Sequence, residues 1–247
     1  MNFIKRLIPN SIKQEAKYVL YDLLKIRYNR HQLPLELVDW IQPDKPITFI
    51  DIGACRGNLS AALSKTFAVE MGILIEPLPS LIPVLNTRFP DTSKFKVLNL
   101  AISNVKGESE FYFSGELNEM SSLLEMKGEF YEPFVVTSAG QKIKTQTETL
   151  DDILKKYRLE ILDLLKIDVQ GAEHLVLEGG LETLKHTKVV YIEASYRPMY
   201  EGSSTFSGLY EFFVRQNFRL GSTTPVCKIN GEIIQVDALF INNALCP

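Results

Sequence analysis

Residues 47–58 read ITFIDIGACRGN and decide the fold. The first six of them, Ile47–Ile52, form an apolar run with an acid near its end, which is typical of a strand buried in a sheet. The glycines Gly53 and Gly57 then indicate a turn. Apolar residues recur at helical spacing from Leu59 to Phe67, so this part of the chain predicts the order strand, glycine turn, helix.

Further apolar runs extend this unit into a sheet. Met71–Ile75 closes a β-α-β unit, and such units build parallel sheets with right-handed crossovers. The later predicted strands are Phe95–Ile102, Leu162–Val169, Lys188–Ala194, Phe218–Ser222 and Ile234–Ile241. The predicted helices are Leu81–Phe89, one that begins after the N-cap Thr149, Ala172–Leu184 with a break or bend at Gly179 and Gly180, and Phe206–Gln216.

A short insertion interrupts the alternation of strands and helices. Glu108–Ser114 and Lys142–Glu148 alternate polar and apolar residues, which predicts half-exposed antiparallel strands. The loop between them contains Ser121 and Ser122. The predicted fold class is therefore α/β and Rossmann-like, a mostly parallel sheet with helices on both faces and an inserted antiparallel hairpin.

Composition places the chain among ordinary globular proteins. Of its 247 residues, 45% are hydrophobic and 23% are charged, which excludes disordered, collagen-like and disulfide-scaffold classes. The three cysteines, Cys55, Cys227 and Cys246, are odd in number and scattered, which favours a reducing, cytoplasmic location. The longest run without a charged residue has eleven residues, so we expect neither a membrane span nor a secretory segment.

The net charge of −3 combines two opposite parts. Residues 1–30 carry +5, and the remainder of the chain carries −8. An acidic body argues against nucleic acid as a partner. Helical spacing from Ile12 predicts a helix in the basic arm, which either packs on the domain or contacts a membrane surface or a partner. We assign residues 1–46 to the arm and a linker, and residues 47–247 to one domain.

Four acids lie at the ends of predicted core strands: Asp51, Glu76, Asp168 and Glu193. In an open parallel sheet, ligands bind beyond the carboxyl ends of the strands. These acids, which are far apart in the chain, are thus expected to converge on one rim.

The first glycine turn and Glu76 predict a cofactor that contains adenosine. Gly53 and Gly57 let the backbone approach a ligand, and Glu76 can accept both ribose hydroxyls. S-adenosylmethionine and a nicotinamide dinucleotide both satisfy this geometry. The turn is not GxGxxG, and Asp51 would repel a pyrophosphate but suit a cationic sulfonium or amino group, which favours the methyl donor. No P-loop motif is present.

Several blocks resemble the FkbM-type S-adenosylmethionine-dependent methyltransferases, with residues 164–173, LLKIDVQGAE, the most specific of them. The others are residues 49–58, FIDIGACRGN; 99–103, NLAIS, with Gly107 and 110–112, EFY; 121–124, SSLL; and 191–193, YIE, with 200–202, YEG. The resemblance covers about Thr48 to Asn242 and excludes the basic arm.

The resemblance implies a seven-stranded class I methyltransferase sheet with an antiparallel last strand. It also implies O-methylation of a hydroxyl on a sugar, a glycan or a natural-product precursor. Gly53 and Gly57 would pass under the methionine part of the cofactor, and Ser103 would lie near the adenine. Cys55 stands where the family usually has Asn. The predicted cofactor-binding residues are Asp51, Gly53, Ala54, Gly57, Asn58, Glu76, Ser103 and Asp168.

Asp168 is the leading candidate for a base that removes the acceptor proton, because it lies at the end of the fourth predicted strand. The alternative is that Asp168 only orients the cofactor or caps the next helix. Glu193 and Glu173 are further catalytic candidates, with a buried ion pair or a charge at a helix N-terminus as alternatives. Nothing in the spacing requires a metal.

The acceptor itself is expected to be a small molecule or a glycan. Tyr196, Arg197, Tyr200 and Tyr210 follow the fifth predicted strand and either line its pocket or lie at the surface. Two rival functions remain open from the residues, a non-catalytic module that binds a partner through the basic arm and a dinucleotide-dependent dehydrogenase.

Overall fold

A computed structural model of the chain describes residues 33–41, 45–113, 120–130 and 141–247. The predicted basic arm and its helix, as well as the predicted end of a strand at Ser114, lie outside these ranges. Part of the predicted linker packs on the domain, because Leu33, Leu37 and Ile41 are buried against strand residues.

The main sheet has seven strands, β1 Ile47–Ile52, β2 Val69–Ile75, β3 Phe95–Leu98, β7 Leu162–Ile167, β8 Thr187–Ser195, β9 Phe218–Ile229 and β10 Glu232–Asn242. Their order in the sheet is β3-β2-β1-β7-β8-β10-β9. The first strand, β1, pairs in parallel with β2 and β7, and β10 runs antiparallel to both β8 and β9. The antiparallel last strand and the class I methyltransferase fold are thereby confirmed.

Helices cover both faces of this sheet, because successive side chains of a buried strand point to opposite faces. Ile50 and Ile52 of β1 pack in one large apolar cluster, whereas Phe49 packs in a second cluster on the other face. The helices are α1 Leu35–Val38, α2 Asn58–Thr66, α3 Ile82–Arg88, α4 Leu150–Tyr157, α5 Glu173–Glu178, α6 Leu181–Lys185 and α7 Phe206–Arg215. The first cluster contains residues of α4 to α7, and the second contains residues of α1 and α2.

The predicted strand Phe95–Ile102 is wrong as one element. It divides into β3 and a two-residue strand β4, Ala101–Ile102, which belongs to a separate three-stranded sheet. The chain turns at Asn99, whose side-chain amide donates to the carbonyl oxygens of Glu76 and Pro77 at 3.0 and 2.9 Å. In the small sheet, β5 Gly107–Phe113 pairs antiparallel with β6 Gln141–Glu148, which confirms the inserted hairpin.

The C-terminal strands form a hairpin longer than predicted. Its turn is Asn230-Gly231, with positive φ angles of 51° and 86° at the two residues, as a tight hairpin turn requires. The predicted break in the helix after the fourth core strand is confirmed, since α5 and α6 flank Gly179 and Gly180. In the part of the chain that the structure describes, no helix has the length and apolar character needed to cross a bilayer.

Candidate active site

Two adjoining cavities open where the parallel strands of the main sheet have their carboxyl ends. The first is a cleft that is partly open to solvent, and concave sites of this kind are the usual places for small molecules and cofactors. Its walls are largely apolar and include Ile52, Ile75, Ile102 and Phe111, and its charged side chains are Glu76 and Asp168. Both cavities are lined by Gly53, Cys55, Asp168 and Gln170, so they meet at these residues.

Glu76 lies directly after β2 and is buried in the wall of the first cavity. Its Oε2 accepts a hydrogen bond from the Cys55 N–H at 2.8 Å, and its Oε1 accepts one from the Leu78 N–H at 2.9 Å. Burial raises the pKa of this carboxyl, and the two backbone hydrogen bonds oppose the rise. A carboxylate oxygen can accept more than one hydrogen bond, so Glu76 can still receive two ribose hydroxyls. The residues present therefore fit adenosine.

Gly53 and Gly57, the two glycines of the first turn, are needed for different contacts. Gly53 has a φ of +71°, and a Cβ at this position would lie 1.8 Å from the carbonyl oxygen of Asp168. Gly53 thus lets the turn touch the end of β7. Gly57 also has a φ of +71°, but a Cβ there would strike the Phe89 ring and one methyl group of Leu85. The structure places Gly57 against α3 and gives it no place in the lining of either cavity.

Lys166 joins the first turn to two of the predicted acids. Its ammonium lies 3.2 Å from Asp51 Oδ1 and 3.4 Å from Asp168 Oδ2, and it donates to the Gly53 carbonyl at 2.7 Å. Burial alone would lower the pKa of this ammonium, but the charges of Asp51 and Asp168 outweigh it and raise the pKa. Ser60 donates to the other oxygen of Asp51 at 2.6 Å. The three charged groups therefore form one ionic cluster, in which Asp51 and Lys166 are largely buried and Asp168 is partly exposed.

Gln170 connects the remaining acids of the rim. Its Nε2 donates to Asp168 Oδ1 and to Glu193 Oε2, each at 2.8 Å. Gln235 on β10 donates to the same Glu193 oxygen at 2.9 Å. The Tyr200 hydroxyl donates to Gln170 Oε1 at 3.2 Å. Burial, followed by the charges of neighbouring acids, raises the pKa of Glu193 well above the usual range.

Glu173 holds the loop between β7 and α5. Its Oε1 accepts the N–H groups of Gly171 at 3.0 Å and Val169 at 3.3 Å. Burial raises its pKa to about 7, and the backbone hydrogen bonds oppose this rise. The side chain is not part of the lining of either cavity. Glu173 therefore fixes the loop through these hydrogen bonds and does not face a ligand in either cavity.

The second cavity is rich in acids. Its lining contains four carboxyl groups, those of Asp51, Asp168, Glu193 and Asp237. The cationic side chains of the lining are fewer, Arg56 and Lys166. Tyr191 also contributes, and its hydroxyl donates to Asp237 Oδ2 at 2.8 Å. Burial, followed by the charge and hydrogen bond of Asp237, raises the pKa of this hydroxyl.

The other predicted site residues are divided between the cavities and the scaffold. Ala54 and Asn58 line the second cavity, and Asn58 accepts a hydrogen bond from Arg88 at 2.8 Å. Ser103 is buried but lines neither cavity, although Ala101 and Ile102 just before it line the first.

The aromatic residues after the fifth core strand do not line these cavities either. Tyr196 and Tyr210 are exposed, and Arg197 extends over the ring of Phe130. Tyr200 is buried behind Gln170. Among the residues that the structure describes, His, Cys, Asp and Glu side chains form no group of three that could hold a metal ion.

Sequence reasoning missed Lys166, Gln170, Tyr191, Gln235 and Asp237 as site residues. Lys166 had a signal, since a charged residue between Leu165 and Ile167 in an apolar strand must be paired if it is buried. The signal for Gln235 and Asp237 is weaker: they are polar residues two positions apart in an apolar strand, so both point to the same face of the sheet.

Known proteins with similar sequences are methyltransferases. Residues 51–220 match the family model described as "Methyltransferase FkbM domain". The 2-O-methyltransferase NoeI of Sinorhizobium fredii is 29% identical over 173 residues, which are 68% of this chain and 70% of NoeI. The methyltransferase sdnD of Sordaria araneosa is 29% identical over 159 residues. That alignment covers 56% of this chain and 61% of sdnD, less than two thirds of its length.

The fold is also similar to a solved one. The crystal structure of Methyltransferase FkbM from Methylobacillus flagellatus KT superimposes with a TM-score of 0.52 at 17% sequence identity. The superposition covers 79% of this chain and 43% of that chain, so this chain spans less than half of it.

Proposed function

The chain belongs to the FkbM family of methyltransferases, and we propose that it methylates a hydroxyl oxygen of a neutral sugar, glycan or natural-product precursor. S-adenosylmethionine is the cofactor of this family. The relative that is named a 2-O-methyltransferase supports oxygen as the acceptor atom.

We assign the adenosine of the cofactor to the first cavity. Glu76 would accept the ribose hydroxyls, and Ile102 and Phe111 offer apolar contacts for the base. The methionine part and the acceptor would occupy the second cavity, next to Asp51, Ala54 and the other residues predicted for the cofactor. When bound, S-adenosylmethionine supplies an electrophilic methyl group on a positively charged sulfur.

The junction of the two cavities at Asp168 carries the proposal, because it lets a methyl group and an acceptor meet at one place. Holding two reactants in line supplies much of the acceleration of a displacement. Both Asp168 oxygens already have partners, Lys166 and the Gln170 amide. We therefore assign Asp168 to positioning at this junction.

The charge of the second cavity supports a neutral acceptor. Even with Glu193 protonated, the three carboxylates of Asp51, Asp168 and Asp237 outnumber the two cationic side chains of the lining, Arg56 and Lys166. A phosphate or carboxylate on the acceptor would be repelled by the remaining acids, since like charges brought together in a site cost several kcal/mol, on the order of 2–5. A hydroxyl-rich neutral molecule meets no such penalty.

Binding of the cofactor is tested first, by calorimetry with S-adenosylmethionine. We expect binding to the wild type and a loss of about 10- to 100-fold for Glu76→Ala, the effect of removing a buried hydrogen-bonding partner. Glu232→Gln, which removes an exposed carboxylate on β10, is the matched control and should bind as the wild type does. Equal affinities for wild type and Glu76→Ala would contradict the assignment of the first cavity.

The acceptor is tested by methyl transfer to neutral methyl glycosides and to the corresponding sugar phosphates. We expect O-methylated products from the neutral set and much less product from the phosphates. Transfer to amines alone, or a preference for the phosphates, would overturn the proposed acceptor class while leaving the cofactor result intact.

A further inference from the structure

Asp237 lies in the wall of the second cavity, on the antiparallel strand β10. Its Oδ2 accepts the hydrogen bond from the Tyr191 hydroxyl. Among the hydrogen bonds of the described residues, this is the one that reaches the Asp237 carboxylate, and its other oxygen, Oδ1, is not among the buried atoms that lack a partner, so Oδ1 is accessible from the cavity. The carboxylate is therefore fixed through one oxygen, and the second oxygen is available to a ligand in the cavity.

We propose that Asp237 is the base that removes the proton of the acceptor hydroxyl, and that Tyr191 is the residue that positions it. This inference rests on the proposed function. In the transfer, the acceptor oxygen forms a bond to the methyl carbon while the bond between that carbon and the cofactor sulfur breaks. The sulfur keeps the electron pair, and the hydroxyl proton passes to Asp237 Oδ1.

The other carboxylates of the cavity are less suited to this step. Asp51 is held by Ser60 and Lys166, and Asp168 is held by Lys166 and Gln170. Glu193 receives two amide donors on a single oxygen and is buried. Its raised pKa favours the protonated form, which cannot accept a proton.

The surroundings of Asp237 keep it ionised near neutral pH but make it a stronger base than an exposed Asp. Burial raises its pKa to about 6, while the Tyr191 hydrogen bond opposes the rise. A base with a pKa close to the working pH is the most effective one. The charged or hydrogen-bonding groups of its neighbourhood are Glu36 on α1, Lys166 on β7, Asp168 after β7, Tyr191 and Glu193 on β8, and Thr224 on β9.

Register explains why Asp237 is available for this role. It lies directly opposite Glu193 on β8 and opposite Thr224 on β9. Thr224 donates to Glu36 at 2.7 Å and does not hold Asp237. Of its neighbours in these two strands, Tyr191 is the one that binds the carboxylate.

The first test compares Asp237→Asn with the wild type, using full-length protein, S-adenosylmethionine and the neutral methyl glycosides. We expect kcat to fall about 100- to 10,000-fold, the usual contribution of a general base, without a change in cofactor affinity. Glu232→Gln, an exposed carboxylate of the same strand, is the matched control. If Asp237→Asn keeps wild-type kcat while the wild type methylates hydroxyls, Asp237 is not the base although the proposed function stands.

The second test uses Tyr191→Phe, which removes the hydrogen bond and keeps the ring. For the wild type, kcat/KM should rise with pH through about 6 and then level off. Because the Tyr191 hydroxyl favours the ionised carboxylate, its loss should move this rise to higher pH. A variant that is slower at every pH without a displaced rise would indicate a merely structural role for Tyr191.

A third measurement needs no acceptor. Carbon-13 NMR of the Asp carboxyl carbons, assigned with Asp237→Asn, should show Asp237 titrating near 6 and higher in Tyr191→Phe. A carboxyl that titrates near the ordinary Asp value of about 3.9 in both proteins would overturn the inference. If the wild type methylates no hydroxyl, the proposed function fails, and this titration still decides whether Tyr191 tunes Asp237.

Discussion

At the scale of single residues, Lys166 stabilises the centre of the site. Its Lys166→Met variant would leave Asp51, whose side chain is 2% exposed, without its cation. Removing one partner of a buried ion pair costs about 3–5 kcal/mol, because a buried charge remains uncompensated. We expect a loss of that size in the free energy of unfolding, measured with urea.

Two further variants show whether charge is the cause of that loss. Adding Asp51→Asn to Lys166→Met should recover part of the stability, since a neutral amide does not need the ammonium. Lys106→Met removes a lysine whose side chain is 66% exposed and paired with Glu148, and should cost about 1 kcal/mol or less. A Lys166→Met variant no less stable than Lys106→Met would contradict the ionic cluster.

The sequence predicts the site residues that follow the parallel strands but not those that depend on strand register. Asp51, Glu76 and Asp168 lie at the rim, as predicted. Parallel strands have their carboxyl ends on the same side of the sheet, and this does not depend on the conformation of the loops. Tyr191 and Asp237 were not predicted, because their contact depends on the register of β10 on β8. That register is set by the packing of the two strands against each other, which brings together residues 46 positions apart in the chain.

At the scale of elements, the first glycine turn is fixed by its contact with the end of β7. Gly53→Ala would place a methyl group 1.8 Å from the Asp168 carbonyl oxygen at a φ of +71°. Backbone cannot move aside as a flexible side chain can, so we expect a loss of about 2–4 kcal/mol in unfolding free energy. Cofactor affinity should fall with it, because the turn also carries the Cys55 N–H that binds Glu76.

A second glycine serves as the matched control for this prediction. Gly208 lies in α7, is exposed, and a Cβ there would meet nothing within 4 Å. Gly208→Ala should therefore stabilise the protein by about 0.5–1 kcal/mol, the usual gain for Ala over Gly inside a helix. Equal effects of the two substitutions would show that the turn does not need its close approach.

Strand prediction succeeded where strands are buried and was incomplete at the edges. The inner strands β1, β7 and β8 are apolar runs with bounds close to those predicted. The edge strand β9 continues to Ile229 through residues that are mostly exposed, so apolar periodicity could not reveal it beyond Ser222. The Asn230-Gly231 turn was a local signal for the hairpin and was missed.

At the scale of the whole molecule, the alternation of side chains divides the site between the two faces of the sheet. Ile52, Ile75 and Ile102 of the first cavity belong to the apolar cluster that contains α4 to α7. Tyr191 belongs to the cluster on the opposite face, and Glu193, two residues later on β8, points the same way. The cavity we assign to adenosine and the acid-rich one thus lie on opposite faces and meet only beyond the strand ends.

The buried acids near the carboxyl ends of the strands, Glu173 and Asp237, should make the ligand-free protein less stable as the pH rises. The pKa of Glu173 is about 7 and that of Asp237 about 6, both raised first of all by burial. Between pH 4.5 and 7, Glu173 therefore binds more protons in the folded state than in the unfolded state. The stabilisation that comes from its protonated form is complete below about pH 4.5 and is lost as the pH rises through 7. Urea unfolding at pH 5, 6.5 and 8 should show a falling free energy, and Glu173→Gln should reduce the fall by about 2–3 kcal/mol. Glu178→Gln, an exposed carboxylate on the same helix, should leave the fall unchanged. A wild type as stable at pH 8 as at pH 5 would mean that these carboxyls are ionised at little cost in the folded protein.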